Sequence, residues 1–280
     1  SDRLLAVPTW NYDRIVIMGG GVIGVEFATI FQALCSKVTI VEKGPHLLGP
    51  MDEEVSEALK EQLVKKGITV YCNAMVEEIQ REEGLVCTVR HLLTDETTQI
   101  KTNQVVVAVG RAPYMEGLLG EDMSLQIEHG RPVVNADFET SEPGIYAIGD
   151  VSAKTQLAHV AMAQATYVIE NLAGKPHTIR LEAVPNGMFV SLPIVPSCIY
   201  TEPEIATVGL TEAKAGELGM KVRCGVYDMG ENGKSIIARE EHGFIRLIFE
   251  AYSNTIVGAQ MMCPRATDMI GEMATAIANG

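Results

Sequence analysis

The chain is short of positive charge, of long apolar runs and of closely spaced cysteines, and each shortage removes a class of function. Its 280 residues hold 22 Lys or Arg against 36 Asp or Glu, a formal charge of −14. Long-range repulsion from that excess argues against a nucleic-acid or anionic-membrane partner. It does not oppose a dinucleotide, whose phosphates are held by local N–H groups. No apolar run approaches the ~18 residues that a membrane span needs. The opening SDRLLAVPTW lacks the basic region and apolar core of a secretory signal. The cysteines (Cys35, Cys72, Cys87, Cys198, Cys224, Cys263) contain no C-x-x-C pair. Reduced, mostly buried thiols in a cytoplasmic protein are therefore expected, with no zinc site. The methionines read as core filler, and no metal centre is expected.

What is present begins with RIVIMGGGVIGVEFATIFQALCSKVTIVE, Arg14 to Glu42. Ile15 to Ile17 form a short apolar run of the kind that is covered on both faces. Gly19, Gly21 and Gly24 follow in G-x-G-x-x-G spacing, then a helical stretch, then a second apolar run, Val38 to Val41. Gly19 permits a tight turn, Gly21 lets a diphosphate approach the backbone, and Gly24 lets helix and strand pack closely. Free N–H groups and the helix dipole then face the phosphates. Glu42, at the second strand's end, stands where a carboxylate accepts hydrogen bonds from an adenosine ribose. Strand, glycines, helix, strand and acid in that order predict dinucleotide binding.

Composition, 47% hydrophobic and 21% charged, fits a soluble globular chain of about two domains. After Glu42 a helix is expected from Asp52 as its cap to a stop at Gly67, with Val55, Leu59 and Leu63 buried. Ile68–Tyr71 reads as a third strand, residues 75–102 as an antiparallel excursion, and Val105–Val109 as the last strand. That strand ends at Gly110, a position where open α/β sheets bind ligands. A further strand is expected over Gly144–Asp150 and a helix over Leu157–Leu172, in which His159 would ordinarily be a core residue. From about Ala183 onward, extended stretches and two helices predict an α+β unit with an antiparallel sheet.

Three motifs resemble the FAD-dependent pyridine nucleotide–disulfide oxidoreductases, most closely the branch that oxidises dihydrolipoamide. They are GGGVIGVEFA at 19–28 with Glu42, TSEPGIYAIGD at 140–150 with QLAH at 156–159, and VPSCIYTEPEIATVGLTE at 195–212. The resemblance implies an α/β protein with a Rossmann-like NAD-binding domain (1–111), part of an FAD-binding domain (112–182) and an α+β dimerisation domain (183–280). It implies that Gly19, Gly20, Gly21, Val22, Ile23, Gly24, Val25, Glu26, Glu42, Val76 and Gly110 line the NAD site. Asp150 would bind the FAD ribityl chain, with Gln156, Leu157, Ala158 and His159 beside the flavin. Glu42 would repel the 2′-phosphate of NADPH, so NADH is favoured although Lys43 adjoins it.

The resemblance further implies a homodimer, electron transfer between a dithiol (dihydrolipoamide) and NAD through FAD, and a place in a 2-oxo acid dehydrogenase complex. In the family a C-x-x-x-x-C disulfide and a histidine with a carboxylate partner carry the thiol chemistry. Neither occurs in this sequence. No catalytic residue is therefore assigned, and the 280 residues read as an internal fragment without disulfide-reductase activity of its own. The alternatives are a sister flavoprotein such as a mercuric, glutathione-type or NADH-oxidase enzyme, or a non-catalytic nucleotide-binding and dimerisation protein. Two departures from the family pattern are Tyr114, where relatives carry asparagine, and EAVPNGMFVSLPI (182–194), which reads as an insertion.

Overall fold

The computed structural model describes residues 4, 6, 12–120, 123–153, 155–177, 182–183, 190–191, 194–240 and 242–280. These fall into two compact units: Ser1–Gly110 with Cys198–Gly280, and Arg111–Ser197. The segments expected to form the first and last domains thus share one unit. Most of the proposed insertion at 182–194 lies outside the described residues.

The first unit opens with β1 (Arg14–Met18), α1 (Val22–Ala33), β2 (Lys37–Val41), α2 (Glu53–Lys65) and β3 (Thr69–Tyr71). β4 (Ala74–Arg81), β5 (Leu85–His91) and β6 (Thr97–Thr102) make an antiparallel three-stranded sheet, and β7 (Gln104–Val107) returns to the parallel one. The parallel order is β3-β2-β1-β7. Ile15, Ile17 and Ile40 are fully buried, as expected of strands covered on both faces. Val55, Leu59 and Leu63 are the buried stripe of α2. β7 stops two residues short of the expected Val109, because its last partner is Met18 and β1 there turns into the glycines. Val107 and Val109 are consequently exposed.

In the second unit the expected strand over Gly144–Asp150 is absent. Tyr146 makes only an isolated antiparallel bridge to Glu139, and Gly149–Val151 is a 3-10 turn. An apolar run without a neighbouring strand to complete its hydrogen bonds does not become a ladder. β8 (Ile127–Glu128) pairs with β9 (Arg131–Pro132), and α3 (Ala158–Leu172) ends before Gly174, whose φ is +63°. β10 (Glu182–Ala183) and β11 (Val190–Ser191) form a second small antiparallel pair.

The chain then re-enters the first unit with β12 (Ser197–Ile199), β13 (Ile205–Gly209), α4 (Glu212–Glu217), β14 (Val222–Asp228), α5 (Gly233–Ala238), β15 (Phe244–Glu250), β16 (Ile256–Met262) and α6 (Ala266–Asn279). The sheet order is β12-β13-β16-β15-β14, with antiparallel pairs as predicted, and α6 packs on β13 and β16. Thr211 caps α4 by accepting from the Lys214 N–H. Asp52, by contrast, occupies the N-cap position of α2 without capping it. Its carboxylate instead accepts from Gln260 Nε2 at 2.6 Å. Beside it the buried Arg246 pairs with Glu54 and Glu212, tying the start of α2 to the antiparallel sheet.

The thiols divide differently from the expectation of mostly buried groups. Cys87 and Cys263 are buried, Cys72 and Cys198 half-buried, and Cys35 and Cys224 exposed. Loss of solvent, reinforced by Glu204, pushes the Cys263 thiol up to about 11. Loss of solvent and the Glu212 carboxylate do the same at Cys224. Neither is a thiolate nucleophile near neutral pH.

One apolar cluster runs through this unit and joins Phe31, Ile40 and Leu59 to Ile199, Ile205 and Met262. Phe31 is fully buried, with Phe27 stacked on it and Tyr12 at its edge, both with centroids 6.1 Å away. Phe31→Ala is expected to lower unfolding stability by about 3–5 kcal/mol, through lost transfer energy and the cavity left behind. Urea unfolding measures it, and a loss below about 1 kcal/mol would place the core elsewhere.

Candidate functional site

The glycine turn is shaped on three sides by its own chain. The Gly19 N–H donates to the Val41 carbonyl at 2.8 Å, and Gly19 has φ +103°. A Cβ there would stand 2.4 Å from the Ala108 carbonyl oxygen beyond β7, so no side chain fits. At Gly24 a Cβ would lie 1.9 Å from the Gly19 oxygen, so helix and strand touch through this residue. At Gly20 it would lie 2.4 Å from Leu47 Cδ2. Gly21 differs: no atom lies within 4 Å of its imaginary Cβ. Its open side is where a diphosphate can approach the backbone.

Glu42 is locked onto this turn. Its Oε2 accepts from the Gly20 N–H at 2.5 Å and its Oε1 from the Gly44 N–H at 2.6 Å. Its main chain is fixed as well, the N–H donating to Tyr71 O at 2.8 Å and the carbonyl accepting from Ala74 N–H at 2.9 Å. Leu48 N–H donates to Gly20 O at 2.9 Å, so loop 43–48 grips the same peptide. The carboxylate stands at the mouth of the turn, and each oxygen keeps a lone pair for a ribose hydroxyl.

This arrangement narrows the set of amides that are free to face a phosphate. The Gly20 N–H is used by Glu42 and faces no phosphate. The donors left free for an anion are those at the start of α1. Its first intrahelical bond runs from Val25 N–H to Gly21 O, leaving Val22, Ile23 and Gly24 N–H without i−4 partners inside the helix. No acidic residue occupies that first turn, so the positive end of the dipole is not offset from within the helix itself.

The other expected NAD-site residues are placed less directly. Val25 is buried in the core under the turn. Glu26 accepts from the Tyr200 N–H at 3.0 Å through Oε1. Burial pushes its carboxyl above the usual range, against the pull of that hydrogen bond. Val76 packs on the small cluster of Val16, Val41, Ala74, Cys87 and Val89 beside β2. Gly110 follows β7 with φ +133° and open space around it.

In the second unit, Asp150 lies in the 3-10 turn with its side chain exposed, and Gln156 and Leu157 lead into α3. Ala158 and His159 are the first two residues of that helix and both are exposed. The ordinary reading of His159 as a core histidine is thus overturned: it sits on the solvent side, and Val160, Gln164 and Val168 form the buried stripe. Among the described residues no group of three His, Cys, Asp or Glu is placed to hold a metal ion, and no helix is long and apolar enough to cross a membrane.

Residues 2–165 match the pyridine nucleotide-disulphide oxidoreductase model, and residues 195–280 match the dimerisation domain of the same family. The chain belongs to the pyridine nucleotide-disulphide oxidoreductase family. Within that family, dihydrolipoyl dehydrogenase of Chlorobaculum tepidum is 35% identical over 266 residues, 95% of this chain and 55% of the relative. The Thermus scotoductus dihydrolipoyl dehydrogenase is 34% identical across 100% of this chain and 59% of its own length. The Cu(II) complex of the HOCl-induced flavoprotein disulfide reductase RclA from Escherichia coli superimposes with TM-score 0.84 at 25% identity, over 99% of this chain and 60% of that one. LpdA from Mycobacterium tuberculosis has the same fold, with TM-score 0.83 at 24% identity over 99% of this chain and 57% of that one. The chain spans about half the length of the curated relatives it matches.

Sequence reasoning found the glycines and Glu42 but missed the residues that hold them. Gly44, Leu47 and Leu48 lie in a loop read only as breakers, and the one available signal was a glycine two positions after the acid. Arg131 and Gln164 carried no motif.

The glycines separate shape from function. Gly24→Ala is expected to destabilise the chain measurably, because its Cβ meets backbone rather than a flexible side chain. Gly21→Ala is expected to leave the unfolding free energy within about 1 kcal/mol of the parent while weakening NADH binding. Thermal unfolding and NADH fluorescence titration check both; a Gly21→Ala variant that binds like the parent would remove the diphosphate from this turn.

Proposed function

We propose that this chain supplies the NAD site, part of the FAD site and the dimer-forming segment of an NAD-linked flavoprotein that oxidises dihydrolipoamide. In this reading residues 1–111 bind NAD, 112–182 contribute to the FAD domain, and 183–280 belong to the interface of a homodimer. The observation that carries it is the open face of Gly21 beside a carboxylate fixed at the mouth of the turn. The names of the relatives support the substrate, and the match to the dimerisation domain supports the homodimer. Membership of a 2-oxo acid dehydrogenase complex and a cytoplasmic location belong to the same proposal.

The residues fit the two cofactors. The N–H groups at the start of α1 would hold the NAD diphosphate, and Glu42 would accept from the adenosine ribose. Asp150 would accept from the hydroxyls of the flavin's ribityl chain, with 156–159 alongside. When bound, the flavin and nicotinamide supply two-electron chemistry; the chain binds, orients and shields them. A second reading, a sister flavoprotein disulfide reductase, is favoured by the likeness to RclA, and assays of the full-length protein with dihydrolipoamide against other thiols separate the two.

The carboxylate sets a cofactor preference. A 2′-phosphate brought beside Glu42 meets like charge, so NADH is expected to bind at least about tenfold more tightly than NADPH, a difference of about 1.4 kcal/mol. Fluorescence titration with both nucleotides measures it. Equal affinities, or a preference for NADPH, would contradict the site.

A further inference from the structure

Three features of the second unit converge on the turn that carries Asp150. First, Gly149 has φ +68°, and a Cβ on it would lie 2.9 Å from Ala161 Cβ. The turn therefore lies flush against α3. Second, the buried stripe of that helix, Val160, Gln164 and Val168, has an amide at its centre. Gln164 is only 2% exposed, and a buried amide is unfavourable unless it is hydrogen-bonded. Its Oε1 accepts the Gly149 N–H at 2.7 Å. Third, Arg131 on β9 reaches across with a single nitrogen, Nη1, and donates to the carbonyls of Asp150 at 2.8 Å and Ala153 at 2.7 Å.

The backbone around Asp150 is thus held from both sides. A side-chain acceptor takes the N–H ahead of it, and a side-chain donor takes its own carbonyl and one beyond. Ser152 adds a third restraint, its Oγ donating to Ala147 O at 2.8 Å. The Asp150 carboxylate itself is exposed and makes no side-chain hydrogen bond among the described residues. A fixed main chain beneath a free carboxylate is a prearranged acceptor, whose ordering entropy is lost in folding rather than in binding.

We propose that Gln164 and Arg131 are positioning residues that hold the Gly149–Asp150 turn so that the Asp150 carboxylate meets the hydroxyls of an extended polyol chain. This rests on the flavin reading of the site above; the ligand class follows from an anionic acceptor with no cation aimed at it from within the turn. Neither residue touches the cofactor in this account. A Leu at 164 would fill the apolar stripe equally well, so a purely structural role does not require an amide there.

The test combines amide exchange with FAD binding. Gln164→Leu removes the acceptor while keeping volume, Gln164→Glu restores an acceptor, and Arg131→Lys keeps one donor. Exchange at the Gly149 amide, read by NMR on the full chain without cofactor, is expected to accelerate about tenfold in Gln164→Leu, the worth of one buried hydrogen bond. It is expected to stay near the parent rate in Gln164→Glu. FAD affinity of the full-length protein that completes the site, from quenching of flavin fluorescence, is expected to fall by a similar factor in Gln164→Leu, less in Arg131→Lys, and most in Asp150→Asn. Parent-like exchange in a folded Gln164→Leu overturns the positioning role. So does weak FAD binding in Asp150→Asn alongside parent-like binding in Gln164→Leu. If Gln164→Leu fails to fold, a Gln164→Glu variant with fast Gly149 exchange overturns it instead. A full-length parent that takes up no FAD, or a full-length Asp150→Asn variant that binds like the parent, overturns the flavin reading itself and the proposed use of the turn with it.

Discussion

The interaction on which the proposed nucleotide site depends is the pair of hydrogen bonds from Gly20 and Gly44 N–H to the two oxygens of Glu42. Bonds from amides to a carboxylate are charge-assisted and among the stronger ones a fold can make. Here they join the tip of β2 to the turn after β1, so that the acid and the glycines form one object. Removing either half would move the other. The carboxylate is therefore part of the turn's architecture before any ligand arrives, and its remaining lone pairs are presented in a fixed direction.

The same unit is consolidated by polar ties between distant parts of the chain. Glu26 on α1 holds the Tyr200 amide after β12, Asp52 holds Gln260, and buried Arg246 reaches Glu54 and Glu212. The ties of Glu26 to Tyr200, Asp52 to Gln260 and Glu54 to Arg246 cross from the segment that carries the glycine turn to the segment that matches the dimerisation domain. With the shared apolar cluster, they explain why residues 1–110 and 198–280 pack as one body although a long excursion separates them in sequence.

Much of this was legible beforehand because it is written in local patterns. Apolar runs gave β1 and β2, four-residue spacing gave the stripe of α2, and glycine spacing gave the turn. What escaped was whatever depends on a partner far along the chain. Asp52 looked like a helix cap but is engaged by Gln260, 208 positions away. Gly144–Asp150 looked like a strand but has no neighbour to pair with beyond one bridge. His159 looked like a core residue because its helix is apolar, yet the buried face is set by Val160 and Gln164. Gln164 itself was invisible, since a polar residue in an apolar stripe shows its purpose only when the Gly149 N–H is seen beneath it.

The most direct test of the central claim is a crystal structure of the chain with NADH. The adenosine ribose is expected within hydrogen-bond distance of the Glu42 carboxylate while the Gly20 N–H stays bonded to it, with the diphosphate over Gly21 and the first turn of α1. A diphosphate bound elsewhere, or a Glu42 side chain swung away from Gly20 with the nucleotide in place, would contradict the account.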